Sequence, residues 1–345
     1  MKIFGVSVVK NEWPLIAVSV AHALVNDCDE VIVIDNGSTD FTLQGLQNLR
    51  DLVFGGRLHI FQYPGKYVQA SITGAAIQLA RNMGADYVLA FDADEFLIIQ
   101  GDDNLSTVLS QAPDLEQAES FQIHLQNFVV PHDFDELDLP SYTEIIARVV
   151  PTQKQAGLSG IEIQKMILAD EVGLLDNHFW NFKVVVKTNK RSFTTAGNHR
   201  TIRKGEVIYL DPEKIISGHI PYVRPSKVIR RNHDKDFNQT TVHYGLLESI
   251  ARLKSDREIW ELVSVDENQE NARIPLTRDD KLGKAVERAV KVLTPFWDRI
   301  NDSERHANSK NSELQTDHEA ALLAALIDVV YEYMGKDFTD QIQIP

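Results

Sequence analysis

Residues 85–97 read ADYVLAFDADEFL, and this stretch decides the predicted fold. Its first part, residues 87–91, is a short apolar run of the kind that forms a buried β-strand. The run leads directly into two acidic residues, Asp92 and Asp94. Because alternate residues of an extended chain point to the same side, both carboxylates are expected to face one way. The stretch therefore predicts a buried strand that ends in a pair of acidic side chains.

Three strand–helix pairs precede this stretch. Each predicted strand is apolar and β-branched, and each is followed by a segment with helical periodicity. The predicted strands are residues 3–9, 30–34 and 58–63, and the helices that follow are residues 14–26, a helix that begins near Asp40, and residues 67–83. Strands that start about every 28 residues, each with a helix after it, predict a parallel sheet with right-handed crossovers.

Polar clusters follow three of these strands. They are Asn11-Glu12 after the first strand, residues 35–40 after the second, and residues 92–95 after the fourth. In open α/β sheets, ligands bind beyond the carboxyl ends of the strands. The three clusters are therefore expected to meet at one edge of the sheet and to form the site. Ser38 or Thr39 is expected to cap the helix that begins near Asp40.

The rest of the chain has a looser pattern. Further strands are predicted at residues 120–130, 144–150, 182–187 and 207–210, and helices at 244–255, 279–299 and 316–334. From about residue 244 the chain becomes mostly helical. Residues 236–345 are predicted to form a helical C-terminal region, which offers a surface for oligomer formation or for packing on the main domain.

Composition excludes several classes of protein. The formal net charge of the 345-residue chain is −15, which disfavours binding to nucleic acid or to an anionic membrane surface. Cys28 is the only cysteine, so an intrachain disulfide is excluded and a reducing, cytoplasmic location is expected. The longest apolar stretches are too short to cross a bilayer, so no transmembrane segment is predicted.

The acidic pair has a chemical use that fits this position. Carboxylate oxygens are the ligands that Mg²⁺ and Mn²⁺ prefer. A divalent ion between Asp92 and Asp94 would relieve their repulsion and could bridge a diphosphate. The alternative is a polar strand end that caps the following turn. The position at the end of the fourth parallel strand favours the metal site.

Three motifs resemble family 2 glycosyltransferases, and more narrowly a bacterial family 2-like branch whose fourth strand ends in D-x-D-E-F. The motifs are residues 8–12 (VVKNE), 33–40 (VIDNGSTD) and 85–97. The resemblance is firm over residues 1–100 and looser up to about residue 235. It implies a catalytic domain over residues 1–235, with a nucleotide-binding half (1–100) and an acceptor half (101–235). It implies a GT-A fold, with a mainly parallel central sheet and helices on both faces. It also implies inverting sugar transfer from a nucleoside-diphosphate sugar to a hydroxyl acceptor, as in bacterial surface polysaccharide or lipopolysaccharide synthesis.

The resemblance also implies roles for individual residues. Asp35 matches the acidic residue that contacts the base or ribose, and Asn11 and Glu12 match the loop over the nucleoside. Arg81 matches a helix residue near the diphosphate. Lys183 lies on a strand that resembles the family's Lys-bearing strand, so it is expected to contact donor phosphate or sugar. Asp92 is expected to contact both the donor and the metal.

A third metal ligand and a catalytic base are also expected. The resemblance indicates His219 as the third ligand, although Ile220 and Pro221 interrupt the His-Tyr motif of the family branch. A base must take the proton of the acceptor hydroxyl, and a carboxylate can do so. Glu144 is the first choice, although an ordinary ion pair with Arg148 explains it equally well. Its rivals are Glu95, Asp176 and Glu162.

Two other functions stay open at this point. A nucleotidyltransferase acting on a sugar phosphate also uses paired carboxylates and a metal, but it usually has a glycine-rich basic loop after the first strand. Residues 10–13 (KNEW) contain no glycine. A non-catalytic nucleotide- or carbohydrate-binding module is the other alternative. For the preferred glycosyltransferase, the acceptor is expected to be a carbohydrate or a lipid-linked glycan.

Overall fold

The computed structural model of the chain describes the N-terminal region continuously and later regions in segments. The described residues are 1–149, 165–166, 169, 182–188, 194, 198, 201, 206–223, 260, 264–265, 276–302, 323 and 327. The chain divides into two compact units. The first unit comprises Met1–His124, Phe182–Ser217 and Lys291–Pro345, and the second comprises Leu125–Asn181 and Gly218–Val290. The expected division into residues 1–235 and 236–345 stays a prediction.

The first unit is built on a mainly parallel sheet. Its strands are β1 (Ile3–Val9), β2 (Glu30–Asp35), β3 (Leu58–Gln62), β4 (Tyr87–Ala90), β8 (Phe182–Lys187), β9 (Glu206–Tyr209) and the first half of β6 (Ala118–Pro131). Strands β4, β1, β2 and β3 are neighbours in that order and all run parallel. Strand β8 pairs antiparallel with β4 and with β6, and β9 runs parallel to β6. The predicted α/β fold with a mainly parallel central sheet is confirmed.

Helices cover both faces of this sheet, as predicted. They are α1 (Leu15–Asn26), α2 (Thr42–Leu49), α3 (Gln69–Asn82) and α4 (Leu105–Ser110). Helix α3 packs on the face of β1 that carries Phe4, Val6 and Val8. The other face is covered by α1, whose His22 lines a small cavity together with Phe91. Ten of the twelve residues of α1 are buried, so this helix is a core element.

The loop after β1 is anchored by residues from near the end of the described chain. The Trp13 ring stacks on Trp297 at a centroid distance of 6.1 Å and meets Phe41 edge-on at 5.4 Å. Its Nε1 donates a 2.9 Å hydrogen bond to Oδ1 of Asn301. Trp297 begins the short helix α6 (Trp297–Ile300). The first unit therefore includes a C-terminal segment that fixes the position of its first loop.

Gly45 of α2 is expected to be intolerant of any side chain. A Cβ atom at this position would overlap the ring of Trp13. We expect Gly45→Ala to destabilise the protein by about 1–3 kcal/mol, because overpacking forces the ring out of its contacts. Urea unfolding followed by tryptophan fluorescence measures the change.

Gly56→Ala is the matched control, since no atom lies within 4 Å of the Cβ position at Gly56. This variant should be neutral or slightly more stable than wild type. Equal stability of both variants would contradict the packing argument.

The second unit is described in fewer residues. It contains the second half of β6 with β7 (Ala147–Val149), β11 (Ser264–Val265) and β12 (Leu276–Arg278), as well as most of helix α5 (Lys281–Leu293). Strand β7 pairs antiparallel with β6 and with β12, and β11 runs parallel to β6. Two more strands, β5 (Glu95–Ile99) and β10 (Ile215–His219), complete the described set. Strand β5 directly follows the acidic pair and was not expected from the sequence.

Three local predictions are wrong. Asp92 and Asp94 were expected on one extended stretch, but β4 ends at Ala90 and residues 93–94 form a turn, in which the backbone N of Glu95 donates a 3.1 Å hydrogen bond to the backbone O of Asp92. The strand expected from residue 144 begins only at Ala147, because residues 139–144 form a 3-10 helix that opens with Pro140. Neither Ser38 nor Thr39 caps α2; the Asp40 carboxylate instead accepts a 2.9 Å hydrogen bond from the backbone N of Thr42.

The predicted helix at 279–299 is confirmed as α5 followed by a 3-10 turn and α6. The helix predicted at 244–255 lies outside the described residues, as does nearly all of the one at 316–334. Over the part of the chain that the structure describes, every helix is too short or too polar to cross a bilayer.

Candidate active site

The loops after β1 and β2 are tied together at the carboxyl edge of the sheet. Asn11 adopts a left-handed backbone conformation with φ of 59°, which asparagine tolerates better than most residues. Its backbone N donates to Oγ of Ser38 at 2.9 Å, and its Oδ1 accepts from the backbone N of Thr39 at 2.7 Å. The backbone N of Glu12 donates to Oγ1 of Thr42 at 2.9 Å. Asn11 and Glu12 therefore help to hold the two loops in register.

Asp35 is the last residue of β2. One of its two carboxylate oxygens has no hydrogen-bond donor among the described residues. The residue is only 2% exposed. Its Oδ2 accepts a 3.1 Å hydrogen bond from the backbone N of Ser38, whereas its Oδ1 has no donor among the described residues. Burial raises the pKa of Asp35, against the lowering effect of the hydrogen bonds from Ser38 and Gly37. A buried acceptor without a donor is costly, so an N–H or O–H group of a ligand would stabilise it.

Asp92 lies two residues beyond the end of β4. It accepts hydrogen bonds on both carboxylate oxygens. Its Oδ2 lies 2.8 Å from Nζ of Lys183, which is on β8. Its Oδ1 accepts from Nε2 of Gln69 at 3.0 Å and from Nδ2 of Asn198 at 3.4 Å. Each carboxylate oxygen has two lone-pair sites, and the described residues supply one donor to Oδ2. Asp92 therefore retains capacity for a ligand on Oδ2.

Glu95 shares the same lysine. Its Oε1 lies 2.5 Å from Nζ of Lys183, and its Oε2 accepts a 3.1 Å hydrogen bond from the backbone N of Asp92. Burial raises the pKa of Glu95 to about 8 against the lowering effect of Lys183, and the charges of Asp92 and Asp94 add smaller raising effects. Burial alone would lower the pKa of Lys183, but Asp92 and Glu95 together hold it above its usual value. With both oxygens engaged, Glu95 is poorly placed to act as the catalytic base.

Asp94 adds a third carboxylate to this cluster. It is 3% exposed, and one of its oxygens lies within 4.8 Å of a carboxylate oxygen of Glu95. Asp92 and Glu95 share the contact with Lys183, and Asp94 adds a further carboxylate beside Glu95. Several carboxylate oxygens gathered at one place are the hard donors that a divalent cation such as Mg²⁺ or Mn²⁺ prefers. The residues present therefore fit the predicted Mg²⁺ or Mn²⁺ ion.

Arg81 lies away from this cluster. It is exposed in the last turn of α3, whereas Gln69, the first residue of α3, contacts Asp92. Twelve residues of helix separate the two by about 18 Å at a rise of 1.5 Å per residue. We therefore leave Arg81 out of the proposed site.

The remaining predicted residues belong to the second unit or lie outside the described residues. Nδ1 of His219 is 2.8 Å from Oδ1 of Asn127, which in the neutral ring puts the proton on Nδ1 and the lone pair on Nε2. This arrangement suits a metal-binding imidazole. Glu144 is exposed, and Arg148 pairs with Asp279 at 2.8 Å rather than with Glu144. Asp176 and Glu162 lie outside the described residues.

Two site residues were missed in the sequence. Gln69 is the first residue of α3, and Asn198 has a left-handed φ of 57°. A signal existed for Gln69, because the helix after β3 must begin at the carboxyl edge of a parallel sheet. Asn198 follows Gly197 in a polar turn, which indicates a turn but gives no sign that its amide reaches Asp92.

The N-terminal part of the chain is similar in sequence to a known family. Residues 6–100 match the sequence model of a family described as Glycosyl transferase family 2. This segment therefore resembles family 2 glycosyltransferases. The predicted resemblance is therefore confirmed over β1 to β5, which includes Asp35 and the acidic cluster. No curated protein sequence matches the chain.

Several solved structures of glycosyltransferases resemble the chain, all at low identity. Residues 1–349 of TarS from S. aureus are 14% identical, with a TM-score of 0.35, over 96% of this chain and 83% of that one. The mannosyltransferase PcManGT from Pyrobaculum calidifontis, solved with GDP-Man and Mn²⁺, is 13% identical, with a TM-score of 0.39, over 99% and 88%. Identities and TM-scores this low transfer no function to this chain.

Proposed function

We propose that the chain transfers a sugar from a nucleoside-diphosphate sugar to a hydroxyl acceptor, with the help of Mn²⁺ or Mg²⁺. The observation that carries this proposal is the unsatisfied Oδ1 of Asp35. It is a buried, charged acceptor at the same sheet edge as the acidic cluster, within the segment that resembles family 2 glycosyltransferases. A hydroxyl of ribose or an N–H of a base would supply the missing donor.

The acidic cluster is proposed to hold the metal ion. Asp94 is the principal ligand, and Asp92 contributes through the capacity left on its Oδ2. When bound, the ion would stabilise the negative charge that builds on the diphosphate as it leaves. Lys183 is proposed to keep the carboxylates of Asp92 and Glu95 in place, because its Nζ contacts both.

The stereochemical course and the base are finer proposals. We infer inversion from the family resemblance, and an inverting transfer needs a carboxylate that takes the acceptor proton. Glu144 remains the proposed base, since it is exposed and has no ion pair with Arg148. His219 remains the proposed third metal ligand, as the family resemblance indicates. The pathway proposed from the resemblance is bacterial surface polysaccharide or lipopolysaccharide synthesis.

A thermal-shift screen with UDP and GDP, each with and without Mn²⁺, tests the proposal. A ligand that binds only the folded state raises the midpoint of unfolding. At least one nucleotide should stabilise the protein, and it should do so more strongly with Mn²⁺. Equal stabilisation by the nucleotide with and without Mn²⁺ would favour a non-catalytic binding module. Pyrophosphate release from a nucleoside triphosphate and a sugar phosphate, without sugar transfer, would favour a nucleotidyltransferase.

Asp35→Asn is expected to weaken nucleotide binding and to stabilise the free protein. A hydrogen bond to a charged acceptor contributes about 1.5–3 kcal/mol, so the affinity should fall about tenfold or more. Because the pKa of Asp35 is raised on folding, its contribution to stability is full at low pH and is lost as the pH rises through the folded pKa. Removing the charge should therefore raise the midpoint of unfolding at pH 7.5, and the gain should shrink as the pH falls towards about 4.

The control is Asp51→Asn, which changes an exposed carboxylate beside Arg50. It should alter neither nucleotide binding nor the pH dependence of stability. If Asp35→Asn binds the nucleotide as tightly as wild type does, Asp35 is not the nucleoside contact.

A further inference from the structure

Three aromatic side chains of the first unit meet on one side of its sheet. The rings of His124 and Phe182 have centroids 4.6 Å apart, and the rings of Phe182 and Tyr209 meet edge-on at 5.2 Å. Tyr209 is 60% exposed; among the described residues, only Met1 and Leu137 are other large apolar side chains with comparable exposure. We call His124, Phe182 and Tyr209 the aromatic surface.

Strand register places this surface beside the acidic cluster. In the antiparallel pair of β4 and β8, Leu89 lies opposite Val185. Continuing that register beyond the end of β4 brings Phe182 opposite Asp92. Lys183, the next residue, contacts Asp92 at 2.8 Å, which agrees with this placement. The aromatic surface is therefore at the same sheet edge as the proposed metal ligands.

The aromatic surface also lies on the face of the sheet that α3 covers. The first residue of α3 contacts the acidic cluster from this face. Val88 packs against α3, and its partner in β8 is Val186. Because side chains alternate along a strand, Phe182 shares the side of Val186, and Lys183 points to the other side. Gln69 at the start of α3 reaches Asp92 from that same side. A molecule on the aromatic surface would therefore lie next to the donor site rather than within the core.

The chemistry of the surface suits a pyranose ring. The face of an aromatic ring is electron-rich and attracts the weakly positive C–H bonds on one side of a sugar. Tyr209 adds a hydroxyl group, and His124 adds ring nitrogens for hydrogen bonds to sugar hydroxyls. Burial lowers the pKa of His124, so its ring is uncharged at neutral pH. An exposed aromatic patch on an otherwise acidic, polar protein calls for a ligand that covers it.

We propose that the aromatic surface binds a sugar ring of the acceptor, so that the acceptor of the transfer is a carbohydrate. This inference rests on the proposed function, since it names the second substrate of the same reaction. The roles are separate: Asp35 and the acidic cluster bind the donor, and His124, Phe182 and Tyr209 bind the acceptor.

Saturation-transfer NMR with simple glycosides tests the surface without any nucleotide. The probes are methyl β-glucopyranoside, methyl α-mannopyranoside and methyl N-acetyl-β-glucosaminide. Wild type should transfer saturation to the ring protons of at least one probe, and Tyr209→Phe should keep the signal because the ring remains. Tyr209→Ala should reduce the signal to background. Leu137→Ala, which removes an equally exposed apolar side chain from the second unit, should behave as wild type.

Two results would overturn the inference. One is the absence of transfer to all three glycosides, or transfer that Tyr209→Ala leaves intact. The other is a wild-type protein that self-associates through this surface, seen as an oligomer in sedimentation that Tyr209→Ala dissociates while no glycoside binds. The thermal shift by nucleotide and Mn²⁺ should be the same in wild type and in Tyr209→Ala. A glycoside signal without any nucleotide-induced shift would support the aromatic surface and contradict the proposed transfer.

Discussion

Asp94→Ala is expected to abolish the Mn²⁺-dependent part of nucleotide binding and to lower the rate of sugar transfer by about 10³-fold. Asp94 is buried beside Glu95 and supplies one of the carboxylates of the acidic cluster. Without its carboxylate, the cluster has less negative charge with which to attract a divalent ion. The fraction of bound Mn²⁺, measured by electron paramagnetic resonance, should fall together with the nucleotide-induced thermal shift.

Asp102→Ala is the matched control for this experiment. Asp102 is an exposed acidic residue in the turn after β5, a few residues beyond the cluster. Its loss should leave Mn²⁺ binding and the thermal shift unchanged. Asp94→Asn should bind Mn²⁺ weakly, since an amide oxygen is a poorer ligand than a carboxylate oxygen. An Asp94→Ala protein that binds Mn²⁺ and nucleotide as wild type does would contradict the metal site.

The second large effect is expected from Lys183→Met. Lys183 is 2% exposed, and its Nζ is the ion-pair partner of both Asp92 and Glu95. Removing one partner from a buried ionic cluster leaves uncompensated charge, which costs about 3–5 kcal/mol. We therefore expect a loss of that size in the free energy of unfolding, measured by urea denaturation at pH 7.5.

A double variant separates lost ionic pairing from lost packing. Glu95→Gln combined with Lys183→Met removes one of the carboxylates that the lysine neutralised. It should be less destabilised than Lys183→Met alone, because fewer buried charges remain unpaired. Lys284→Met, which breaks the exposed pair of Lys284 and Asp280, should show no measurable change. Strictly additive effects of the Glu95 and Lys183 substitutions would argue against a coupled ionic cluster.

The sequence was most informative about features that depend only on residues close together in the chain. Apolar β-branched runs and their spacing gave the parallel strands β1 to β4, and the polar residues that follow these strands gave the carboxyl edge. The pairing of Lys183 with Asp92 and Glu95 could not be predicted. Lys183 and Asp92 are 91 positions apart, and their contact depends on β8 lying antiparallel beside β4. Local pattern contains no information about which distant strand becomes the neighbour.

Resemblance and geometry also disagree in instructive ways. Arg81 matched a position in a family motif, but the direction of α3 carries it to the far end of the helix from Gln69. Asn11 was expected to touch the nucleoside, and its side chain accepts hydrogen bonds from the loop after β2. A motif shows that a residue type recurs at one position in a family. The hydrogen bonds of that residue in this protein show what its side chain does.

The hydrogen bond between Trp13 and Asn301 spans 288 positions of the chain. A ribosome makes about 5–20 residues each second, so Trp13 waits on the order of 15 seconds or longer for its partner to emerge. Until then, the loop that carries Asn11 and Glu12 lacks the contacts of Trp13 with Trp297 and Asn301. During synthesis, the nascent chain can therefore assemble its parallel strands well before it can complete the edge at which the donor would bind.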